Sequence, residues 1–486
     1  MTRIVVVGNG MVGARFVEDL MKADAALEYR VTVIGDEAAQ AYNRVLLSDV
    51  VSGKRDPNAL ALPVVNDPRV VYRRGEPVGQ IDRERKLVIT GDGGRYRYDK
   101  LVLATGARAR LPRLPGLLGG SFARGVHALR TLADAHNIVA ATLGAEHAVV
   151  LGGGVLGLEV ACGLAKRDVA VTLVHPGRGL MERQLDAAAG AAVLGTLDML
   201  GVAHRLGVPA AGVVRRNGRI VALRLADGED LPSDFLVLTT GTSPNTSLAE
   251  AAGLDVDRGI LVDANLTTPA DPDVHAIGDC AQPPEGSLGL VAQGWEQARV
   301  LVHNLTGREA APLPERSVED VVRVKAPGLD VVTMGRCGAR RTPQPGERAL
   351  SLSDAASGRH VEVIVADGRL VGATCVGAGD LASDLVAAYR NATPVPRDPA
   401  YLLLAPMVRP VVDPATEVLC RCNGVTAATV AACIEGGAAS LAAVAAKTRA
   451  TTGCGGCSDK VTRLLTAARE VTRLKRRPNV PETLAS

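Results

Sequence analysis

Two stretches of the chain carry the same alternation of apolar run, glycine turn and periodic helix. In "RIVVVGNGMVGARFVEDLM" an apolar strand ends at a glycine turn, and Val12, Phe16 and Leu20 then recur at intervals of four. "AVVLGGGVLGLEVACGLA" repeats the plan, with Leu156, Val160 and Leu164 on the apolar face. Each is followed by another strand, "YRVTVIG" and "VAVTLVHP". Strand, helix and strand in that order require a parallel sheet, so two such units are expected. Ala148 to Ala165 is the most membrane-like stretch, but its glycines and Glu159 fit a strand and helix buried on both sides instead.

From about Val321 the pattern changes. "VVRVKA", "DVVTMG" and "HVEVIVADGRLVGATCVG" read as strands joined by turns, the last pair a hairpin through Asp367-Gly368, and "DLASDLVAAYR" reads as a helix. "TPVPRDPAYLLLAPMVRPVVDP" is a proline-rich linker by composition. Beyond it, "TAATVAACIEGG" and "SLAAVAAKTRA" read as short helices capped by Thr426 and Ser440.

Composition narrows the class. The 486 residues exceed one core and suggest about three domains. With aromatic content of 2%, the cores must be built from Val, Leu and Ala. A net charge of +3 argues against nucleic acid as a partner. "MTRIVVVGNG" is too short an apolar run for a signal peptide, so the expectation is a cytoplasmic protein, neither exported nor held in a membrane. In that setting close cysteine pairs point to metal more often than to disulfides.

Gly8-x-Gly10-x-x-Gly13, with Met11 inside the turn, follows a strand and opens a helix. Such glycines let backbone approach a pyrophosphate, and the helix N-terminus offers free N–H groups. An acid some twenty or more residues on should take a ribose hydroxyl; Asp36 and Glu37 stand there, and Glu37 is preferred. Gly152-x-Gly154-x-x-Gly157-x-Glu159 is a second such loop, so two dinucleotides are implied. Its following strand ends at His175, with Arg178 beyond and no carboxylate at that point, which leaves NADH against NADPH open.

These loops, with "AYNRVLLS", "LVLATGARARLP", "LVLTTGTSPN" and "VHAIGDCA" in order, resemble the two-dinucleotide-fold flavoprotein reductases of the rubredoxin and ferredoxin reductase type. The resemblance covers residues 1 to about 400. It implies FAD on the first loop and NAD(P)H on the second, inserted one. It further implies that Arg44, Ser48, Val78, Thr105, Gly106, Gly241 and Asp279 line the cofactor site, Asp279 on the flavin ribityl chain. The fold class that follows is α/β: two Rossmann-like domains, the NAD domain inserted in the FAD domain, a small α+β domain and a small helical [2Fe–2S] domain. The expected boundaries are 1–112 with 239–315, 113–238, 316–400 and 413–472. No catalytic acid, base or nucleophile is needed, because hydride passes between nicotinamide and flavin. Cys162, Cys280, Cys337 and Cys375 stand alone, so no dithiol relay serves the flavin, and Cys280 is expected to be a buried, inert thiol.

Cys420-x-Cys422 and Cys454-x-x-Cys457 supply four thiolates, enough for a [2Fe–2S] cluster. Structural zinc takes the same donors but usually at wider spacing than C-x-C. Gly453, Gly455 and Gly456 favour the cluster by letting backbone N–H groups crowd its sulfurs, and Cys433 falls among core residues instead. The segment is similar to the domain shared by bacterioferritin-associated ferredoxin and the large subunit of NAD(P)H-dependent nitrite reductase. Nicotinamide gives up two electrons at once and a [2Fe–2S] cluster takes one, so flavin between them makes a two-to-one converter. The layout resembles the electron-transfer subunit of assimilatory nitrate reductase, which implies a molybdenum nitrate reductase subunit as acceptor. A nitrite reductase component, a ferredoxin or oxygenase reductase, and a redox sensor are the alternatives. The expectation drawn from the last cysteine, Cys457, is that this chain alone does not reduce nitrite.

Overall fold

The computed structural model describes residues 1–117, 123–307, 320–354, 356–404, 417–420, 423–453 and 455–475. The first apolar run becomes β1 (Thr2–Val7), the centre of a six-stranded sheet. Its order is Thr267–Thr268, Asp271–Ala276, Lys100–Leu103, β1, Tyr29–Gly35 and Val70–Arg74. All pairs are parallel except the edge pair Thr267–Thr268 with Asp271–Ala276. Ile4 to Val7 are buried in a core shared by the helices Met11–Ala23 and Val291–Thr306 and the three-stranded sheet Val78–Asp82, Leu87–Thr90 and Arg95–Arg97. Helix α1 (Met11–Ala23) seats Phe16 and Leu20 in that core with no exposure; each contributes roughly 2 kcal/mol by the area it removes from water.

The second unit is a five-stranded, all-parallel sheet ordered Val202–Leu206, Ala170–His175, β2 (His147–Leu151), Phe235–Leu238 and Val126–Ala128. The membrane-like stretch is thus β2 followed by helix α2 (Val155–Ala165), in which Val160 and Leu164 are fully buried. Among the described residues no helix is long and apolar enough to cross a membrane.

The chain passes between the two sheets twice, and the two passages are paired. Ala107–Ala109 runs antiparallel to Thr242–Pro244. Thr105 Oγ1 donates to Asn245 O (2.9 Å), and Asn245 Nδ2 donates back to Thr105 O (2.8 Å). One segment therefore insulates the other from slipping, and the inserted sheet is held at two adjacent points.

A five-stranded antiparallel sheet follows, in the order Val322–Ala326, Leu329–Gly335, Arg369–Val376, Arg359–Ala366 and Arg348–Asp354. The hairpin turn is at Asp367 (φ 50°) and Gly368 (φ 68°), a left-handed pair that a glycine and an aspartate adopt at little cost. Helix Gly379–Arg390 covers one face. Residues 405–416 of the proline-rich linker lie outside the described set. The last unit is a small core around Leu419, Val430, Val444 and Val461. Its helices Ala427–Glu435 and Leu441–Thr448 are capped by Thr426 and Ser440, as the sequence predicts. Cys433 packs against this core.

Candidate functional site: two glycine cradles and a cysteine loop

At the first loop Gly8 has φ 117°, and a Cβ there would overlap the Ala104 carbonyl. A Cβ on Gly13 would overlap Gly8 O, so α1 can approach only a glycine. Gly10 precedes α1 with no side-chain cap, which leaves the first-turn N–H groups open. Beside it, the buried Asn9 Oδ1 has no hydrogen-bond partner. The open N–H groups fit a dinucleotide pyrophosphate, and the Asn9 oxygen, which can only accept, is left for a donor group of a ligand.

The rim of that cradle carries alternating charge. Glu37 accepts from Tyr42 OH (2.7 Å) and is paired with Arg44 Nη2, whereas Asp36 is exposed. Arg44 Nη1 donates to Tyr42 OH (2.8 Å) and to Arg130 O (3.2 Å). Burial holds the Tyr42 phenol above its ordinary range. Arg130 in turn donates through Nη2 to Asp279 Oδ2 (2.6 Å) and through Nε to Ala107 O (2.8 Å). Glu37, Arg44 and Asp279, expected from sequence, thus stand on one edge, joined by Arg130, which sequence reasoning missed. Its signal was present: the capping box Thr131–Asp134 follows it directly and fixes Arg130 at a helix entrance. Gly106 (φ 66°) turns the chain under the Arg130 guanidinium. Gly75 N donates to Glu37 O (3.1 Å), which brings Val78 to the same end of the sheet. Met11 points the other way, into a small core with Ala41, Leu62 and Trp295.

The second loop repeats the first atom for atom in plan. Gly152 has φ 127°, a Cβ on it would overlap Thr239 O, and one on Gly157 would overlap Gly152 O. Gly154 precedes α2. The rim differs: Gly153 N donates to His175 Nδ1 (3.1 Å), and burial lowers the His175 pKa, so the ring is a neutral acceptor. Gly241 (φ 96°) places its carbonyl against Arg110 N (2.9 Å), in the return passage, and not in this cradle.

Ser48 and Glu159 meet each other instead of an open cleft. Ser48 Oγ donates to Glu159 Oε2 (2.5 Å), and Lys325 reaches Glu159 Oε1 through both its backbone N (2.9 Å) and Nζ (3.2 Å). Glu159 is only 3% exposed. Both residues, expected at a cofactor, stand in a buried joint of three units: the first sheet's helix Leu47–Val51, α2 and the antiparallel sheet.

Cys420 ends strand Val418–Cys420 and Cys457 precedes helix Ser458–Lys475. Both are buried in the same small core, and hydrogen bonding from the Cys457 thiol, ahead of any other influence, lowers the Cys420 pKa to about 6. Asn423 Nδ2 lies 3.8 Å from the Cys420 sulfur. Cys422 and Cys454 lie outside the described residues. One thiol from each pair, one of them readily ionised, is the donor chemistry a thiolate-bound cluster requires. Cys280, by contrast, is fully buried, donates to Ile277 O (3.3 Å), and burial pushes its thiol up.

Residues 2–300 match the pyridine nucleotide-disulphide oxidoreductases, more than half the chain. The chain belongs to that family. Residues 418–467 match the BFD-like [2Fe–2S] binding domain. The protein is therefore a NAD(P)H oxidoreductase with FAD on a Rossmann-type fold and a [2Fe–2S] domain. It is 32% identical over 95% of its length to the nitrite reductase [NAD(P)H] of Bacillus subtilis, of which it covers 57%. To the assimilatory nitrate reductase electron transfer subunit of the same organism it is 29% identical over 95%, covering 59%. The chain thus spans little more than half the length of these relatives. A covalent putidaredoxin reductase–putidaredoxin complex superposes with a TM-score of 0.70 at 26% identity, over 82% of this chain and 95% of that one.

Proposed function

We propose that this flavoprotein takes hydride from NAD(P)H at the second loop and sends single electrons out through Cys420, Cys422, Cys454 and Cys457. The acceptor is a partner reductase of nitrogen-oxide assimilation, foremost a molybdenum nitrate reductase subunit. The carrying observation is the packing of Cys420 and Cys457 into one small core in a chain that already holds two glycine cradles. When bound, FAD supplies the chemistry of accepting an electron pair and releasing it singly. The protein's part is placement: Gly8, Gly10 and Gly13 admit the pyrophosphate, the Glu37–Arg44–Arg130–Asp279 edge orients the rest, and Gly152, Gly154 and Gly157 admit the nicotinamide nucleotide. The two relatives named above are a nitrite reductase and the electron transfer subunit of an assimilatory nitrate reductase, which favours this partner class; a nitrite reductase component is the second reading, favoured by the first of them.

Metal and sulfide analysis with anaerobic NAD(P)H titration tests the reading. Two irons and two sulfides per chain, with flavin bleaching followed by cluster reduction, are expected. Cys454→Ser should abolish transfer to a one-electron protein acceptor yet spare flavin reduction. Zinc without sulfide overturns the outlet, and a flavin that reduces but passes electrons on only slowly marks a sensor. Reconstitution with nitrate reductase against nitrite reductase subunits decides between acceptors.

A further inference from the structure

The segment Tyr42–Ser48 has two sides. Tyr42 and Arg44 face Glu37 on the rim of the first cradle. Asn43, between them, points to the other end of the chain. Its Nδ2 donates to Thr452 O (2.8 Å) and Gly453 O (2.6 Å), in the loop of the second cysteine pair. Its Oδ1 accepts from Val45 N (3.1 Å), which fixes the short turn carrying Arg44. Its own N–H is held by Leu60 O (2.8 Å). Asn43 is 2% exposed, so every polar atom of this side chain is committed inside the protein.

Contacts on either side of Asn43 repeat the same pairing of an early residue with a late one. Arg55 Nη2 donates to Ser458 Oγ (2.7 Å) while its Nε holds Asp49 Oδ2 (2.9 Å). Arg15 Nη1 donates to Asn423 Oδ1 (3.4 Å), and Arg449 pairs with Glu18. Gly455 lies so close to Leu46 that a Cβ would stand 2.8 Å from Leu46 Cδ2. A loose surface contact would not commit a buried amide to two carbonyls or need a glycine at its tightest point.

We propose that Asn43 is a positioning residue that seats the cysteine loop against the FAD-binding segment, and that electrons cross between the chain's two centres at this seat. In sequence, Asn43 is the neighbour of Arg44 and Gly453 is the neighbour of Cys454, so one side chain separates the rim of one centre from a ligand of the other. The inference rests on the proposed function and adds to it a route. One NAD(P)H becomes NAD(P)+ with release of one proton and two electrons. Both electrons cross the seat singly and reduce two equivalents of a one-electron acceptor.

The test is Asn43→Asp, which keeps the oxygen that caps Val45 but removes both donors and sets a carboxylate against two carbonyls. FAD, iron and sulfide per chain are measured first. On rapid anaerobic mixing of the holoprotein with NADH, flavin bleaching should keep the native rate. Cluster reduction, read by freeze-quench electron paramagnetic resonance, should slow about tenfold or more. Independently of turnover, amide hydrogen exchange over 451–458 should accelerate. If Asn43→Asp does not fold, the double variant Arg15→Ala, Arg55→Ala loosens the seat from its edges and should show both changes in weaker form. Cluster reduction and exchange at native values in the folded variant overturn the seat and leave the proposed function standing. A native protein without iron and sulfide overturns the proposed function itself.

Discussion

The two glycine loops use one backbone device for two purposes. Gly10 and Gly154 enter their helices at nearly the same angles, φ −90°, ψ −167° and φ −86°, ψ −175°. Gly8 rests on Ala104 and Gly152 on Thr239, the residues from which the chain leaves each sheet for the other. Identity ends at the rims. The first is edged by ion pairs, Glu37 with Arg44 and Arg130 with Asp279. The second is edged by a neutral imidazole on the loop's own N–H. The backbone admits a dinucleotide in both cases; side chains supplied by the next strand and by distant segments decide how firmly each is kept. A many-handed ionic edge suits a resident cofactor, and a single weak contact suits a nucleotide that must leave after every turnover.

Alanine at the two leading glycines should separate those purposes, with the largest effects. Each added Cβ meets a carbonyl and is forced to positive φ, which costs at least about 1–2 kcal/mol before any clash is relieved. Gly8→Ala should emerge from gel filtration without FAD and without any activity. Gly152→Ala should stay yellow but lose on the order of a hundredfold in the rate of flavin reduction by NAD(P)H. Loss of FAD from Gly152→Ala would show that the cradles are not independent.

Next in size is a difference two residues past the third glycine. There the second loop has Glu159 and the first has Arg15. Glu159 is sealed between Ser48 and Lys325, whereas the Arg15 side chain is 22% exposed beside Asp19 and over the Trp295 ring. Lys325→Met leaves the buried Glu159 carboxylate with the Ser48 hydroxyl and the backbone N–H of residue 325 but no cation, and should cost about 3 kcal/mol in urea unfolding. Arg15→Ala should cost under about 1 kcal/mol, since its partners remain partly hydrated. Equal losses would mean that both helices depend on such a joint.

What was legible in the sequence was local. Gly8, Gly152 and their strands could be read because steric demand and apolar runs act within a few residues. Glu37 could be read because the acid belongs at the end of the adjoining strand. Arg130 could be placed at a helix entrance by its capping box, but its pairing could not be read, since its partner Asp279 is 149 residues away. The meeting of Ser48 with Glu159 across 111 residues, and of Asn43 with Gly453 across 410, was likewise closed to pattern. A glutamate after a glycine loop looks the same whether it faces a ligand or a lysine from another sheet. Strand Arg348–Asp354 was missed although Leu350 and Leu352 alternate with Ser351 and Ser353: the pattern is short, and as a sheet edge the strand is almost wholly exposed.

The smallest predicted effect is in pH, and only the second loop should feel it. His175 accepts from Gly153 N, which requires an unprotonated Nδ1. Burial depresses its pKa below the ordinary value of about 6.5, and nearby Glu182 only partly opposes this. The contribution is therefore complete above about pH 6.5 and is lost as pH falls through the depressed folded value, where the ring must take a proton. Losing one such bond is worth about 1 kcal/mol, so the KM for NAD(P)H should rise about fivefold on acidification. FAD retention over the same range should not change, because the Glu37–Arg44 edge holds no histidine. His175→Asn keeps an acceptor near Gly153 without a titrating ring, and should flatten the KM profile. A profile that stays steep in that variant would place the titrating group elsewhere, and the rims would then differ in charge alone, not in their response to protons.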